Sequence, residues 1–276
     1  MDVFHGTLDQ PHLYPLYTAI SFYAAVFVIG EISRVLVDKF ITRRGSSHDF
    51  LIELIGTIQM CTCVYENGII VKHYGLNGFF VVVGLLLTAG GVFNRGAFTN
   101  CLPIIEEFWY NRISSSRLLT LISAQLIGAT FASKVAYTIW NNTSQYSNAH
   151  LENARNTQCI LNYHQPAGTV IAFEVIGAAT MRFVCGYLAS SPKLRKLIPF
   201  AVSLYLTLAL YVIGVPGLNP IVATSRLFGC QGIDNQSFFL LYWICPIVGW
   251  MLGAALFRAD GNLSVKPKSS GKKKRN

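Results

Sequence analysis

The chain has 276 residues, 52% of them apolar and only 13% charged, with a mean hydropathy of +0.43. Soluble domains carry about 25% charged residues, so this composition excludes a cytosolic enzyme and indicates a polytopic membrane protein. The net charge of +9 does not indicate nucleic acid, because seven of the 22 basic residues follow Phe257 and the excess is largely a property of the tail.

Long apolar runs predict spanning helices over 13–37, 50–71, 78–93, 118–140, 168–189, 197–215 and 238–257. Most are near the ~20 residues that a crossing needs. The run 78–93 is shorter and rich in glycine, but its centre carries no charge. The first run does not read as a signal peptide. It lacks a basic leader, contains Glu31 and Arg34, and is not followed by a small-residue cleavage site.

Basic residues occupy alternate connections: Lys39, Arg43 and Arg44, then Arg95, Arg112 and Arg117, then Lys193, Arg195 and Lys196, and finally the tail. The opposite connections hold only Lys72, Arg155 and Arg226. The positive-inside rule puts the tail and the basic connections in the cytosol. Seven crossings then leave the N-terminus on the lumenal or extracellular side. The connection 141–165 faces the same way and carries overlapping N-glycosylation sequons at Asn141 and Asn142.

Cys61, Cys63, Cys185 and Cys245 lie inside apolar segments and read as small buried hydrophobes. The odd total of seven cysteines argues against a disulfide framework. No His or second Cys pair sits at ligand spacing from Cys61-Thr-Cys63, so neither a metal nor a cofactor is expected. Lys134 and Arg182 fall inside spans; snorkelling suits Lys134 better than Arg182, which has no evident role.

Comparing the chain with itself exposes a repeat. Glu53-Leu-Ile-Gly-Thr-Ile-Gln-Met60 matches Glu174-Val-Ile-Gly-Ala-Ala-Thr-Met181 at an offset of 121. Asn100 follows Glu53 by 47 residues, and Asn219 follows Glu174 by 45. Each half then enters a further apolar helix, through Ala124-Gln-Leu-Ile-Gly-Ala and Cys245-Pro-Ile-Val-Gly. Three crossings per repeat is an odd number, so the second copy enters the membrane from the opposite side. The expected organisation is an N-terminal extension with an extra helix (1–49), a first repeat (50–140), a lumenal connection (141–167), a second repeat (168–257) and a basic cytosolic tail (258–276).

The apolar stretches 100–110 and 219–229 are about half a bilayer long at ~1.5 Å rise per residue, and read as re-entrant half-helices. Asn is a preferred N-cap, and a helix start presents unpaired N–H groups at a positive dipole end. Two such ends meeting at the midplane repel cations and protons, while the Asn amides donate to neutral oxygens. That arrangement favours small neutral hydroxylic solutes. Glu53 and Glu174 stand inside helices, where a bare carboxylate is costly.

Gly217-Leu-Asn-Pro-Ile, followed by Tyr242-Trp-Ile-Cys-Pro-Ile-Val-Gly-Trp, resembles the second Asn-Pro-Ala box and last helix of aquaporins. The resemblance covers about 50–257. The N-terminal helix, the Gln-Met-Cys-Thr-Cys run at 59–63 and Cys230, nine residues beyond Ile221, resemble the unorthodox superaquaporin branch. It implies an all-α membrane fold of six transmembrane helices and two re-entrant half-helices, with one added N-terminal helix, assembled as a homotetramer with a pore in each subunit. The pore boxes would be Asn100, Cys101 and Leu102, without the usual Pro, and Asn219, Pro220 and Ile221. The selectivity filter would be Phe80, Thr207 and Val222, with Val222 in place of the Arg of most water-selective members. Glu53 and Glu174 would hold the irregular backbone before each half-helix. Cys230 is the signature cysteine of the branch; an oxidising lumen can pair it with Cys159.

Lys273 and Lys274, three and four residues from the end, match a dilysine retrieval signal of the endoplasmic reticulum; a lipid-facing basic patch is the other reading. The expected function is a passive channel for water and small neutral solutes such as glycerol or hydrogen peroxide. A non-conducting membrane scaffold is one competing reading. An intramembrane transferase is another, disfavoured because the six His residues are scattered.

Overall fold

Backbone groups in an apolar surrounding must be satisfied within the segment, and this chain satisfies them as helices. A computed structural model describes residues 13–41, 43–156 and 158–259. In chain order the helices are α1 (Tyr14–Phe40), α2 (Ser46–Phe93), α3 (Cys101–Trp109), α4 (Ser115–Thr143), α5 (Asn148–Arg155) and α6 (Ala167–Ala189). A 3-10 turn (Leu194–Leu197) leads into α7 (Ile198–Ile213), followed by α8 (Pro220–Leu227), α9 (Asn235–Phe239), a π turn (Leu240–Ile244) and α10 (Cys245–Ala259). Six of these runs are long and apolar enough to cross a membrane.

One of the six is a hairpin. Within the 48 residues of α2 only Gly75 leaves helical geometry, at φ 61° and ψ −160°. A straight helix of that length would extend about 72 Å. Instead the arm 76–93 runs back along 46–74, so that Gln59 Nε2 reaches Asn94 Oδ1 at 3.1 Å. Glycine meets the positive φ without strain, and a Cβ at Gly78 would collide with Tyr74. The segments expected at 50–71 and 78–93 are therefore two crossings joined by a single residue rather than by a loop. With the two arms of α2 counted separately, the described residues hold seven long apolar helical arms.

The duplicated halves pack alike. Gly128 lets α4 approach α2, where an added Cβ would sit 3.1 Å from the Leu54 carbonyl. Gly249 brings α10 against the Val175 carbonyl of α6. Both members of the second pair lie 121 residues beyond those of the first. Small residues let helix backbones touch where lipid offers no hydrophobic drive to associate. In the second half Pro246 cannot donate an N–H, and the turn before it widens to π geometry. The widened turn lays the Tyr242 ring over Gly217, and its hydroxyl donates to the Val215 carbonyl at 3.2 Å.

The added helix α1 lies along α2. Phe22, Tyr23 and Val26 pack with Cys63, Ile70 and Trp140, and Tyr23 donates to Asn67 at 2.7 Å. Its outer face, including Ile20, Val28, Ile32 and Val35, is exposed, as lipid contact requires. Lys134 also projects outward, over the Phe131 ring.

Candidate functional site

The two short helices are built by the same local rules. Asn100 caps α3 with Oδ1 accepting from Leu102 N at 3.0 Å; Asn219 caps α8 with Oδ1 accepting from Ile221 N at 3.0 Å. Each Asn follows a residue forced into positive φ, Thr99 at 54° and Leu218 at 46°. Such conformations cost on the order of 1–3 kcal/mol and persist only where the surroundings impose them. Here buried carboxylates impose them. Glu53 accepts from Phe98 N at 2.9 Å and Thr99 N at 2.6 Å; Glu174 accepts from Gly217 N and Leu218 N, both at 2.9 Å.

The helix starts meet. Asn219 Nδ2 donates to the Thr99 carbonyl at 3.1 Å, although the residues are 120 apart in sequence. From that point α3 runs toward the basic end, where Glu106 meets Arg112, and α8 runs toward the opposite end, where Arg226 meets Tyr65. The two positive helix termini therefore face one another at the centre of the bundle. With each Oδ1 bound to its own helix, the Nδ2 groups remain as the donors turned away from the helices.

The residues around the caps divide into two sets. Cys101, Leu102, Pro220 and Ile221 are buried, and Cys101 and Ile221 pack with Cys61, Ala129 and Ala132 behind the half-helices. Val222 lies against that cluster. Phe80 and Thr207 are linked through Ser203, which donates to the Phe80 carbonyl at 2.6 Å and accepts from Thr207 at 2.8 Å through its own carbonyl. The Phe80 ring lies 6.3 Å from that of Phe200. Arg226, one turn beyond Val222, stands 4.9 Å from the Tyr65 ring centroid.

Cys230 and Cys159 form a disulfide with Cα atoms 4.8 Å apart. It ties the connection after α5 to the end of α8, beside a two-way backbone bridge between Cys159–Leu161 and Gln231. Tyr163 continues the attachment through its hydroxyl, 2.9 Å from that of Tyr242.

Several site residues escape sequence reasoning. Glu106 accepts from Arg182 Nε at 2.5 Å, Arg182 Nη2 at 2.7 Å and Trp250 Nε1 at 2.8 Å, beside a crevice of about 410 Å³. Arg182, without a role in the sequence, thus has one. Gln125 donates to Glu53 at 2.7 Å. Glu66 is fully buried with Trp140 Nε1 at 2.7 Å and His150 Nε2 at 3.1 Å. The partners lie 72 to 144 residues apart, so no local spacing announces them. The one usable signal was the ionisable residue inside an apolar run. Lys273 and Lys274 lie outside the described residues.

A family model described as "Major intrinsic protein" matches residues 75–257. The chain is 62% identical to "Putative aquaporin-10" of Caenorhabditis elegans over 90% of its own length and 88% of that protein's. It is 25% identical to "Aquaporin-12" of Mus musculus over 87% of this chain and 85% of that one. Against "Aquaporin-11" of Homo sapiens the identity is 22%, over 87% of this chain and 88% of that one.

Proposed function

The chain belongs to the major intrinsic protein family, whose members are channels and not enzymes, and from that premise we propose that it passes water and small neutral solutes passively across its membrane. The observation that carries the reading is the meeting of two Asn-capped helix starts at the centre of the bundle. Facing positive ends oppose cations and protons, and amide donors hold a neutral oxygen without a fixed charge to trap it. Carbonyls of the irregular stretches before each cap supply acceptors, and irregular backbone inside a membrane is tolerated where it lines such a path.

Within this reading Phe80, Thr207 and Val222 form the constriction. Val222 carries no charge, so a solute with carbon atoms, such as glycerol, loses less there than at a filter bearing Arg. Hydrogen peroxide belongs to the same class of small neutral solutes. The assembly is a homotetramer, and Lys273 and Lys274 retain the protein in the endoplasmic reticulum with the basic end cytosolic.

The competing scaffold reading draws on the same central contact. Asn219 already commits one of its two amide N–H donors to the Thr99 carbonyl, and Cys101 stands where the first box usually has Pro. Osmotic swelling of liposomes carrying the purified full chain decides between them. Swelling faster than protein-free liposomes supports the channel; equal rates with folded protein support the scaffold.

A further inference from the structure

The added helix α1 is joined to the stretch that precedes the first cap. Arg34 has no exposed surface, yet its Nη2 donates to Gln59 Oε1 at 2.6 Å and to Asn94 Oδ1 at 3.1 Å. Gln59 closes the triangle through Nε2 to the same Asn94 oxygen. A Cβ at Gly30 would collide with Gln59 Oε1, so glycine opens the gap through which α1 and α2 share this network. A buried guanidinium inside an apolar bundle carries a desolvation cost, and it is held here by two amide oxygens and, at 3.5 Å, by Glu31.

Asn94 is the C-cap of α2 and Arg95 is the first residue beyond it, at a positive φ of 50°. Arg95 is ion-paired to both Glu31 and Asp38 of α1. Four residues on, Thr99 presents the carbonyl that Asn219 contacts. The stretch 94–99 is thus gripped at its start by α1 and at its end by Glu53. A Cβ at Gly56 would approach Ala97 to 2.9 Å, which shows how closely the stretch lies on α2.

We infer that α1 is part of the conducting machinery: Arg34 and the Glu31–Arg95–Asp38 bridge are positioning groups that set where the Thr99 carbonyl meets Asn219. The inference rests on the channel reading for its effect on flux, but not for its effect on structure. Hydrogen exchange therefore reads the grip itself, and swelling reads its consequence.

Arg95→Glu reverses the charge at a partly exposed site and leaves the core intact. It should raise exchange at the Phe98 and Thr99 amides and lower water flux per folded channel by about tenfold, equivalent to ~1.4 kcal/mol on the barrier to permeation. Adding Glu31→Gln and Asp38→Arg re-forms the bridge through residue 38 with reversed polarity, keeps an amide oxygen beside Arg34, and should recover both quantities. Arg34→Met, which keeps the stem and removes the buried charge, should reproduce the loss in protein that still folds, with a lower unfolding temperature because the buried Gln59 oxygen loses its donor. Unchanged exchange in Arg95→Glu and Arg34→Met overturns the inference even if the wild type does not conduct. Faster exchange with unaltered flux in a conducting protein overturns it as well, as does a loss that charge reversal does not recover. A silent wild type whose exchange responds as expected overturns only the channel reading.

Discussion

Glu106 of α3 and Arg182 of α6 form a two-point ion pair, at 2.5 and 2.7 Å, between residues 76 apart in sequence. It joins the half-helix of the first repeat to the helix that opens the second. α8 has Pro220 at its first position, pre-set for a helix, whereas α3 has Cys101 and lacks that restraint. Glu106 compensates from the other end of α3 by fastening it to two helices of the opposite half.

Breaking this pair should therefore cost more than replacing it. Arg182→Met leaves Glu106 buried with Trp250 and Arg112 alone and should destabilise by about 3 kcal/mol. Glu106→Met with Arg182→Met should recover most of that loss, because neither charge remains. Unfolding followed by circular dichroism in detergent gives the comparison. Strict additivity of the two single changes would mean that they do not interact.

The proposed constriction makes a selectivity prediction. Val222→Arg adds a charge and bulk one turn before Arg226, on the same face of α8. Glycerol flux should fall more than water flux in liposomes carrying the variant. Equal suppression of the two would remove Val222 from the constriction.

The disulfide can be counted. Two of the seven cysteines are paired, so five thiols should be alkylated in denaturant without reductant, and all seven after reduction. Mass spectrometry of the intact chain distinguishes the two numbers. The bridge spans a separation of 71 residues. In the chain-entropy account, a loop of that size contributes about 4 kcal/mol. Cys159→Ser should lower the unfolding temperature accordingly, and Cys159→Ser with Cys230→Ser should lower it no further.

The tail makes a prediction for cells. Lys273→Ser with Lys274→Ser should release protein to the cell surface, measured by surface biotinylation. An unchanged distribution leaves those lysines as part of a basic patch facing lipid headgroups.

The fold was legible where a physical requirement leaves a mark on neighbouring residues. Spans show as apolar runs, and the half-helices show as an Asn followed by half a bilayer of apolar chain. The repeat showed because Glu53 and Glu174 serve the same backbone demand 121 residues apart. What stayed hidden depends on partners brought together only by folding. Arg182 looked unexplained because Glu106 lies on another helix of the other half, and Arg34 looked merely like an argument against a signal peptide. Cys159 and Cys230 could be named as a pair, but only the approach of α8 to the connection after α5 brings them within bonding distance. The break between 50–71 and 78–93 was legible as an end to the apolar runs, but that Gly75 alone makes the turn was not.

That turn bears on how the protein enters its membrane. A single residue joins 46–74 to 76–93, and Lys72, His73 and Asn77 are the exposed polar groups beside it. They can rest at the far surface, but they leave no hydrated tether between the arms. Entry of the two arms together, as a hairpin, is the expected outcome, with Gln59 and Asn94 within reach of each other. Lengthening the turn with a flexible polar insert should uncouple the arms, and a glycan acceptor or protease site in that insert would report when each one arrives.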